Sequence, residues 1–326
     1  MVSTTYNGYI DYQAYFPTSG YVLFSSPNNN ISLQTSDGTG WWTKTMQTST
    51  DNITWTTWDG ATTISSTTGK IYVRGLNNTY VVASAVNSSW VLTGTDISIS
   101  GNIEALLDYR VSVTGKTVDN IISNTFANLF INNTNIVDAS ELKMPRRALV
   151  NNIYYKMFEG CSSLVNAPAL PATTLAEKCY ARMFYGCSSL ASTPDLPAMS
   201  LANNCYASMF RDCTSLTTVP ILAATTLANE CYNGMFYGCT SLTTLPILPA
   251  TTLPTYCYAS MFRNCTNIKI ALSKDDVYVN SYRIPTTGTG TASTGALEGM
   301  FSGTGGAWKG APDLNKTHFT SNDIIG

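Results

Sequence analysis

Histidine is almost missing from this chain: among 326 residues there is one, His318, near the C-terminus. Imidazole is the usual general base and zinc ligand, so a Ser-His-Asp arrangement would have to be built in the tail. Charge is scarce too. Charged residues make up 12% and the net charge is −2, against roughly 25% charged residues in ordinary globular chains. No basic cluster supplies the positive stripe that a nucleic-acid partner needs. No apolar run reaches the ~18 residues of a membrane span, so no insertion into a membrane is expected. Met1-Val2-Ser3-Thr4-Thr5-Tyr6-Asn7-Gly8 lacks the basic and apolar regions of a secretory signal, and no anchor is expected in the polar tail to Gly326. Neither a P-loop nor a G-x-G-x-x-G occurs; Ser302-Gly303-Thr304-Gly305-Gly306 is glycine-rich but has no lysine. Asp275 and Asp276 adjoin, but adjacent side chains on a strand diverge. A cation held by turn oxygens near Asp37 or Asp51 has nothing further to support it. The expectation is no enzyme, no cofactor and no metal.

Cysteine, by contrast, is plentiful and ordered. Met-Phe recurs at Met157/Phe158, Met183/Phe184, Met209/Phe210, Met235/Phe236 and Met261/Phe262, a step of 26 residues. Cys161, Cys187, Cys213, Cys239 and Cys265 each follow the phenylalanine by three residues, and Cys179, Cys205, Cys231 and Cys257 form a second set. A fixed period of this size marks a stack of coils, each burying the apolar face of its neighbour. All nine cysteines lie on this lattice, their number is odd, and no C-x-x-C occurs. Two ladders of reduced core thiols are therefore expected rather than a disulfide framework.

Within one coil, Leu227, Cys231 and Met235 fall at i, i+4 and i+8, with Tyr232, Phe236 and Cys239 beside them. This predicts a helix of about ten residues with one broad apolar face. Thr226 stands where an N-cap would, as do Thr174, Ser200 and Thr252 in other copies. The column Gly160, Gly186, Asp212, Gly238 and Asn264 holds the residues that tolerate φ > 0, as a helix C-cap requires. Ser241–Leu245 reads as a short strand, limited by Pro246 and Pro249. Upstream, Leu129-Phe130 and Ile136 repeat the pattern with Asn133 in the cysteine place. Downstream, Leu297, Met300-Phe301 and Ala311–Leu314 echo it. Seven coils result, five regular and two terminal.

The Met-Phe-x-Gly-Cys-x-Ser-Leu core, as at Met157–Leu164, and Leu-Pro-Ala-Thr-Thr-Leu, as at Leu170–Leu175, resemble the BspA-like leucine-rich repeats of bacterial surface proteins. The resemblance spans about Thr125–Leu314. It implies binding and adhesion rather than catalysis, and brings no catalytic residues with it.

Ile31–Arg110 is rich in short Thr, Val, Ile, Tyr and Trp runs between Gly and Asn/Asp turns. Strands are expected near Ile31–Thr35, Thr54–Trp58, Lys70–Gly75 and Trp90–Gly94, with Trp55, Trp58, Val73 and Val91 in the core. The stretch Ser49–Trp58 looks like the β module that precedes such repeats in gut-bacterial and prophage proteins. Trp41-Trp42 is either one core and one surface residue or a sugar-stacking platform. Before it, Tyr6, Tyr9, Tyr12 and Tyr15 mark an arm that is either a simple extended lead-in or an attachment segment. The predicted fold class is an α/β repeat. It comprises an arm over 1–30, an immunoglobulin-like β-sandwich over 31–115 and a leucine-rich-repeat-like solenoid over 116–326, with one short strand and one short helix per coil.

Positions 26 apart lie above one another, so exposed columns make linear surfaces. The residue after each phenylalanine reads Glu159, Tyr185, Arg211, Tyr237, Arg263. Tyr185, Arg211, Tyr237 and Arg263 form the candidate ligand-binding column; the plainer reading is a solvated edge. The column Ser162, Ser188, Thr214, Thr240 and Thr266 reads as a hydroxyl ladder satisfying the turn. Two settings are expected. One is the surface of a virion of a phage infecting gut bacteria, as fibre, head decoration or tail adhesin. There the chain would be a homo-oligomer, bound to other virion proteins through its N-terminal region and to a host-surface glycan or protein through its repeats. The other is the bacterial cell surface, as an adhesin.

Overall fold

A computed structural model describes residues 20–36, 45–81, 89–110, 118 and 121–326. Trp41-Trp42, Asp37 and the 6-9-12-15 tyrosines lie outside the described residues. Among the described residues nine strands precede the regular repeats: β1 (Val22–Ser25), β2 (Ile31–Thr35), β3 (Thr45–Ser49), β4 (Thr56–Trp58), β5 (Ile64–Ser66), β6 (Lys70–Leu76), β7 (Trp90–Thr93), β8 (Ile97–Asn102) and β9 (Ile136–Lys143). They form one sheet in the order β4-β3-β6-β1-β8-β9 and a second in the order β5-β2-β7. β1, β2 and the first residues of β8 alternate buried with half-buried side chains, the period-two signature of a strand with one face on a core. Trp58 and Val73 are buried as expected. Val91 is half-buried instead, because its neighbour Trp90 takes the inward side. Trp55 lies outside the core, under the Arg74 guanidinium at 3.8 Å.

The coils differ from the expected helices. Among the described residues there is no α-helix, only a 3-10 turn at Ile103–Leu106. Where the helix was expected, backbone N–H groups take two destinations in alternation. Tyr180, Arg182, Phe184 and Gly186 donate to the carbonyls of Cys205, Ala207, Met209 and Arg211 in the next coil, at 2.8–3.0 Å. Ala181, Met183, Tyr185 and Cys187 donate three residues back within the coil, at 3.1–3.2 Å. Every fourth residue has φ > 0: Lys178, Arg182 and Gly186 stand at 53°, 56° and 72°. The coil is thus a ribbon of consecutive turns, every second one carrying the positive φ of a type II turn. Its period is 4.0 rather than 3.6. Cys179, Met183 and Cys187 therefore stay in line, as do Tyr180 and Phe184, and all are buried. In an α-helix each i+4 step would swing about 40° around the axis.

The pattern holds in seven coils, from Asn124, Asn128 and Asn132 in the first to Gly295, Gly299 and Gly303 in the last. The column expected to have φ > 0 does so, as the third of three such columns and not as a helix cap. Stacking aligns the aromatics: Phe158, Phe184, Phe210, Phe236, Phe262 and Phe301 lie 5.7–5.8 Å apart with ring planes within 11°. Tyr154, Tyr180, Tyr206, Tyr232 and Tyr258 make a parallel column at 5.6–5.9 Å. All nine cysteines are unpaired and buried. Burial raises their pKa values, to about 12 for Cys161, Cys179, Cys231 and Cys265. Each thiol of the first set reaches the phenylalanine carbonyl of the preceding coil, as Cys213 Sγ does Phe184 O at 3.1 Å.

Asn133 in the cysteine place of the first coil has a reason. Its amide donates to Trp90 O at 2.6 Å and its Oδ1 accepts from Leu92 N at 2.7 Å, so it pairs the edge of β7. Phe24, Trp90 and Phe130 meet edge to face beside it, joining the sheets to the Phe column.

At the other end lie β10 (Thr244–Pro246), β11 (Thr252–Leu253), β12 (Ile270–Ala271), β13 (Asn280–Arg283), β14 (Thr291–Ala292), β15 (Thr317–Thr320) and β16 (Asp323–Ile325). The strand expected at Ser241–Leu245 is β10, shifted to include Pro246; most other coils have no strand there. Phe262 and Phe301 stack although 39 residues separate them, so 13 residues beyond one period loop out between the coils. The Pro285–Gly295 segment, flexible by composition, is tied down by Arg283, which donates to Pro285 O and Gly288 O at 2.6 and 2.7 Å, and by β14 pairing with β11. The extra strand that Val277, Val279 and Tyr282 suggest is β13, which holds Tyr282 while Val277 and Val279 are exposed just before it. The tail is not peripheral. β15 pairs with β12 and β13, His318 is buried against Trp308, and burial lowers its pKa.

Candidate functional site

The column of residues after each phenylalanine leaves the core, since Met and Phe fill the two inward places of each four-residue turn pair. Tyr185, Arg211 and Tyr237 are half-buried and Arg263 is exposed. The structure brings all four together. The Arg211 guanidinium carbon lies 3.9 Å from the Tyr237 ring centre and 5.5 Å from that of Tyr185. Arg263 closes the other side of Tyr237 at 5.8 Å. Asn264 donates to the Tyr237 hydroxyl at 3.2 Å.

Sequence reading missed Arg182, which sits three residues before Tyr185 in the second left-handed column. It covers the Tyr185 ring at 4.5 Å and donates twice to the Glu159 carboxylate, both at 2.8 Å. The ladder therefore runs Glu159, Arg182, Tyr185, Arg211, Tyr237, Arg263, acidic at one end and basic at the other. The signal for Arg182 was its spacing: in a ribbon of period four, side chains three apart flank the same turn.

Each cation–π contact contributes about 0.5–1 kcal/mol at an exposed site. Together they hold the guanidinium groups beside the rings. Arg211 meets Asp212 only at 3.6 Å, and its Nε is buried with no hydrogen-bond partner. Residues 119–269 match, in six copies, the family described as BspA type leucine rich repeat region. This region is a BspA-type leucine-rich repeat region. No curated protein and no solved structure matches the chain significantly. The coil around Met300-Phe301 lies beyond the match and stacks on the coil before it through the Phe262–Phe301 ring pair.

Other sequence candidates have structural employment. Asp51 accepts from Ile53 N, Thr54 N and Ser49 Oγ, all at 2.8 Å, which holds its pKa well below the usual range. Asp275 similarly fastens a turn through Val277 N and Tyr278 N. In the hydroxyl column, Ser188 Oγ donates to Ser162 O at 3.2 Å. Among the described residues no group of three or more His, Cys, Asp or Glu side chains is arranged so that it could hold a metal ion, and no helix is long and apolar enough to cross a membrane.

Proposed function

We propose that this chain is a non-enzymatic surface-attachment protein, a solenoid whose lateral face grips a glycan or protein on a host surface. The observation that carries this reading is the ladder from Glu159 to Arg263. Its guanidinium planes are held before any ligand arrives, which lowers the ordering cost of binding, and Tyr and Arg are the side chains that dominate binding energy at interfaces. The BspA-type repeats support attachment over chemistry. Replacing Arg211 and Arg263 together by Gln should cut adhesion of the purified chain to host cells at least about tenfold while leaving the thermal midpoint nearly unchanged. Adhesion that survives the double substitution would remove the ladder from the contact.

We assign the protein to the virion of a phage infecting gut bacteria, as a homo-oligomer whose N-terminal region docks to other virion proteins. The nine unpaired, buried thiols favour folding in a reducing cytosol. The competing setting is a bacterial cell surface. Mass spectrometry of purified particles and of the cell-surface fraction separates the two. Stoichiometric recovery from particles supports the first; recovery only from cells, as part of a longer exported chain, replaces it with the second.

A further inference from the structure

Beside the ladder the left-handed columns enclose a groove of about 430 Å³, and we propose that it is a carbohydrate site, taking a segment of hydroxyl-rich polysaccharide along the stack. The floor comes first. Three residues after the first left-handed column the coils carry Tyr155, Ala181, Ala207 and Asn233. The two alanines drop the floor between the larger side chains at either end.

The walls come next. Asn204, Ser208, Glu230 and Asn233 line the groove, and none of these side chains has a hydrogen-bond partner among the described residues. They offer donors and acceptors in close succession, as vicinal hydroxyls require. Lys178 and Arg182 line it from the neighbouring coil, each paired with a carboxylate, Glu177 at 3.3 Å and Glu159 at 2.8 Å.

The ladder itself cannot stack sugars, because Tyr185 and Tyr237 each have a guanidinium on either side. An extended peptide fits poorly as well. Successive N–H groups of the coils that line the groove are already bonded to the next coil or three residues back, so no strand edge is open there for augmentation.

This inference rests on the surface-attachment reading, but the variants that test it alter none of the residues changed to test the ladder, so the two can fail separately. The full chain is run in native gels containing mannan, a mixed-linkage β-glucan or polygalacturonate. Asn204→Gly with Glu230→Gly removes two wall side chains while suiting the backbone, and Ala207→Phe fills the floor. The expected result is retardation of the parent chain by at least one polysaccharide. Both groove variants should weaken it at least about tenfold, and Arg211→Gln with Arg263→Gln should leave it intact. Retardation unaffected by both groove variants would overturn the site. So would a chain that binds host cells yet is retarded by none of the three polysaccharides, with attachment itself left standing. A chain that binds neither cells nor polysaccharide would take both readings down.

Discussion

The two halves of the molecule bury aromatic side chains in opposite ways. In the sheets Trp58, Trp90 and Phe24 meet edge to face, with planes 68–75° apart. In the repeats the rings lie parallel, one per coil, within 13° of each other from Tyr154 to Tyr258. A sheet core collects unlike side chains from distant strands, so each contact is particular. A repeat core sets each side chain on its own copy, so one good contact is used again at every level and each coil depends on its two neighbours. The cysteines sharpen the contrast: all nine belong to the repeats and none to the sheets.

That asymmetry sets the largest effect. Thiols whose pKa is raised to about 12 in the fold ionise near their ordinary value of about 8.5 once unfolded. Stability is then complete below about pH 8.5 and falls as pH rises toward 12, by about 1.4 kcal/mol per pH unit for each thiol. Nine thiols acting together exceed the ~5–15 kcal/mol that holds a typical domain within one to two units. The buried tyrosines, also raised, add to the loss above about pH 10. Alkaline titration followed by near-ultraviolet circular dichroism and tryptophan fluorescence should show the tyrosine-lined repeats melting between about pH 9 and 10.5, before the tryptophans of the sheets report a change. Simultaneous loss of both signals would mean that the halves unfold as one unit.

Trp90 is where the two modes meet. Trp90→Ala removes the ring that touches Trp58, Phe24 and Phe130 and is expected to cost about 3–5 kcal/mol. It should also split urea unfolding into two steps by uncoupling the sheets from the first coil. A single transition shifted to lower urea would show coupling that survives without the ring. Asn133→Ala comes next. It leaves Trp90 O and Leu92 N, both bonded by the Asn133 amide, without their partner, at about 1–3 kcal/mol for a buried group left unsatisfied. Amide exchange at Leu92 should accelerate while exchange at Tyr206, deep in the stack, stays unchanged.

Much of this architecture was legible because repetition amplifies a weak signal. One Met-Phe-x-x-Cys would mean little; five in register locate the core, the coil boundaries and the column at Gly160. The helix was misread for a physical reason. Over ten residues an apolar spacing of i, i+4, i+8 satisfies both a 3.6-residue helix and a 4.0-residue turn ribbon. What separates them is the left-handed residue at every fourth place, and Lys178, Arg182, Glu230 and Tyr256 disguise it, being residues that seldom adopt φ > 0. The column Tyr185, Arg211, Tyr237, Arg263 was legible from the period alone. Arg182 and the groove were not, since both depend on which turn faces outward. Trp90 displaced Val91 from the predicted core because one residue of register reverses a strand's faces.

The smallest effect tests the backbone itself by making one substitution in both halves. Ser260 holds φ 54° in the fifth regular coil, between Gly234 and Gly299 of the same column. Its N–H already serves Glu298 O at 2.8 Å. Ser260→Gly keeps that bond and removes a left-handed penalty of about 1–2 kcal/mol, against an entropic cost of about 0.5–1 kcal/mol for freeing the unfolded chain. A gain of roughly 0.5 kcal/mol remains. Ser100 lies in β8, paired with Leu23 on one side and Glu141 on the other. There the extended backbone offers glycine no relief, and Ser100→Gly should lose about 0.5–1 kcal/mol. Thermal melts of the two variants should therefore move in opposite directions. If both fall, the inter-coil hydrogen bonds hold the left-handed residues without strain, and the turn ribbon is as tolerant of side chains as a strand.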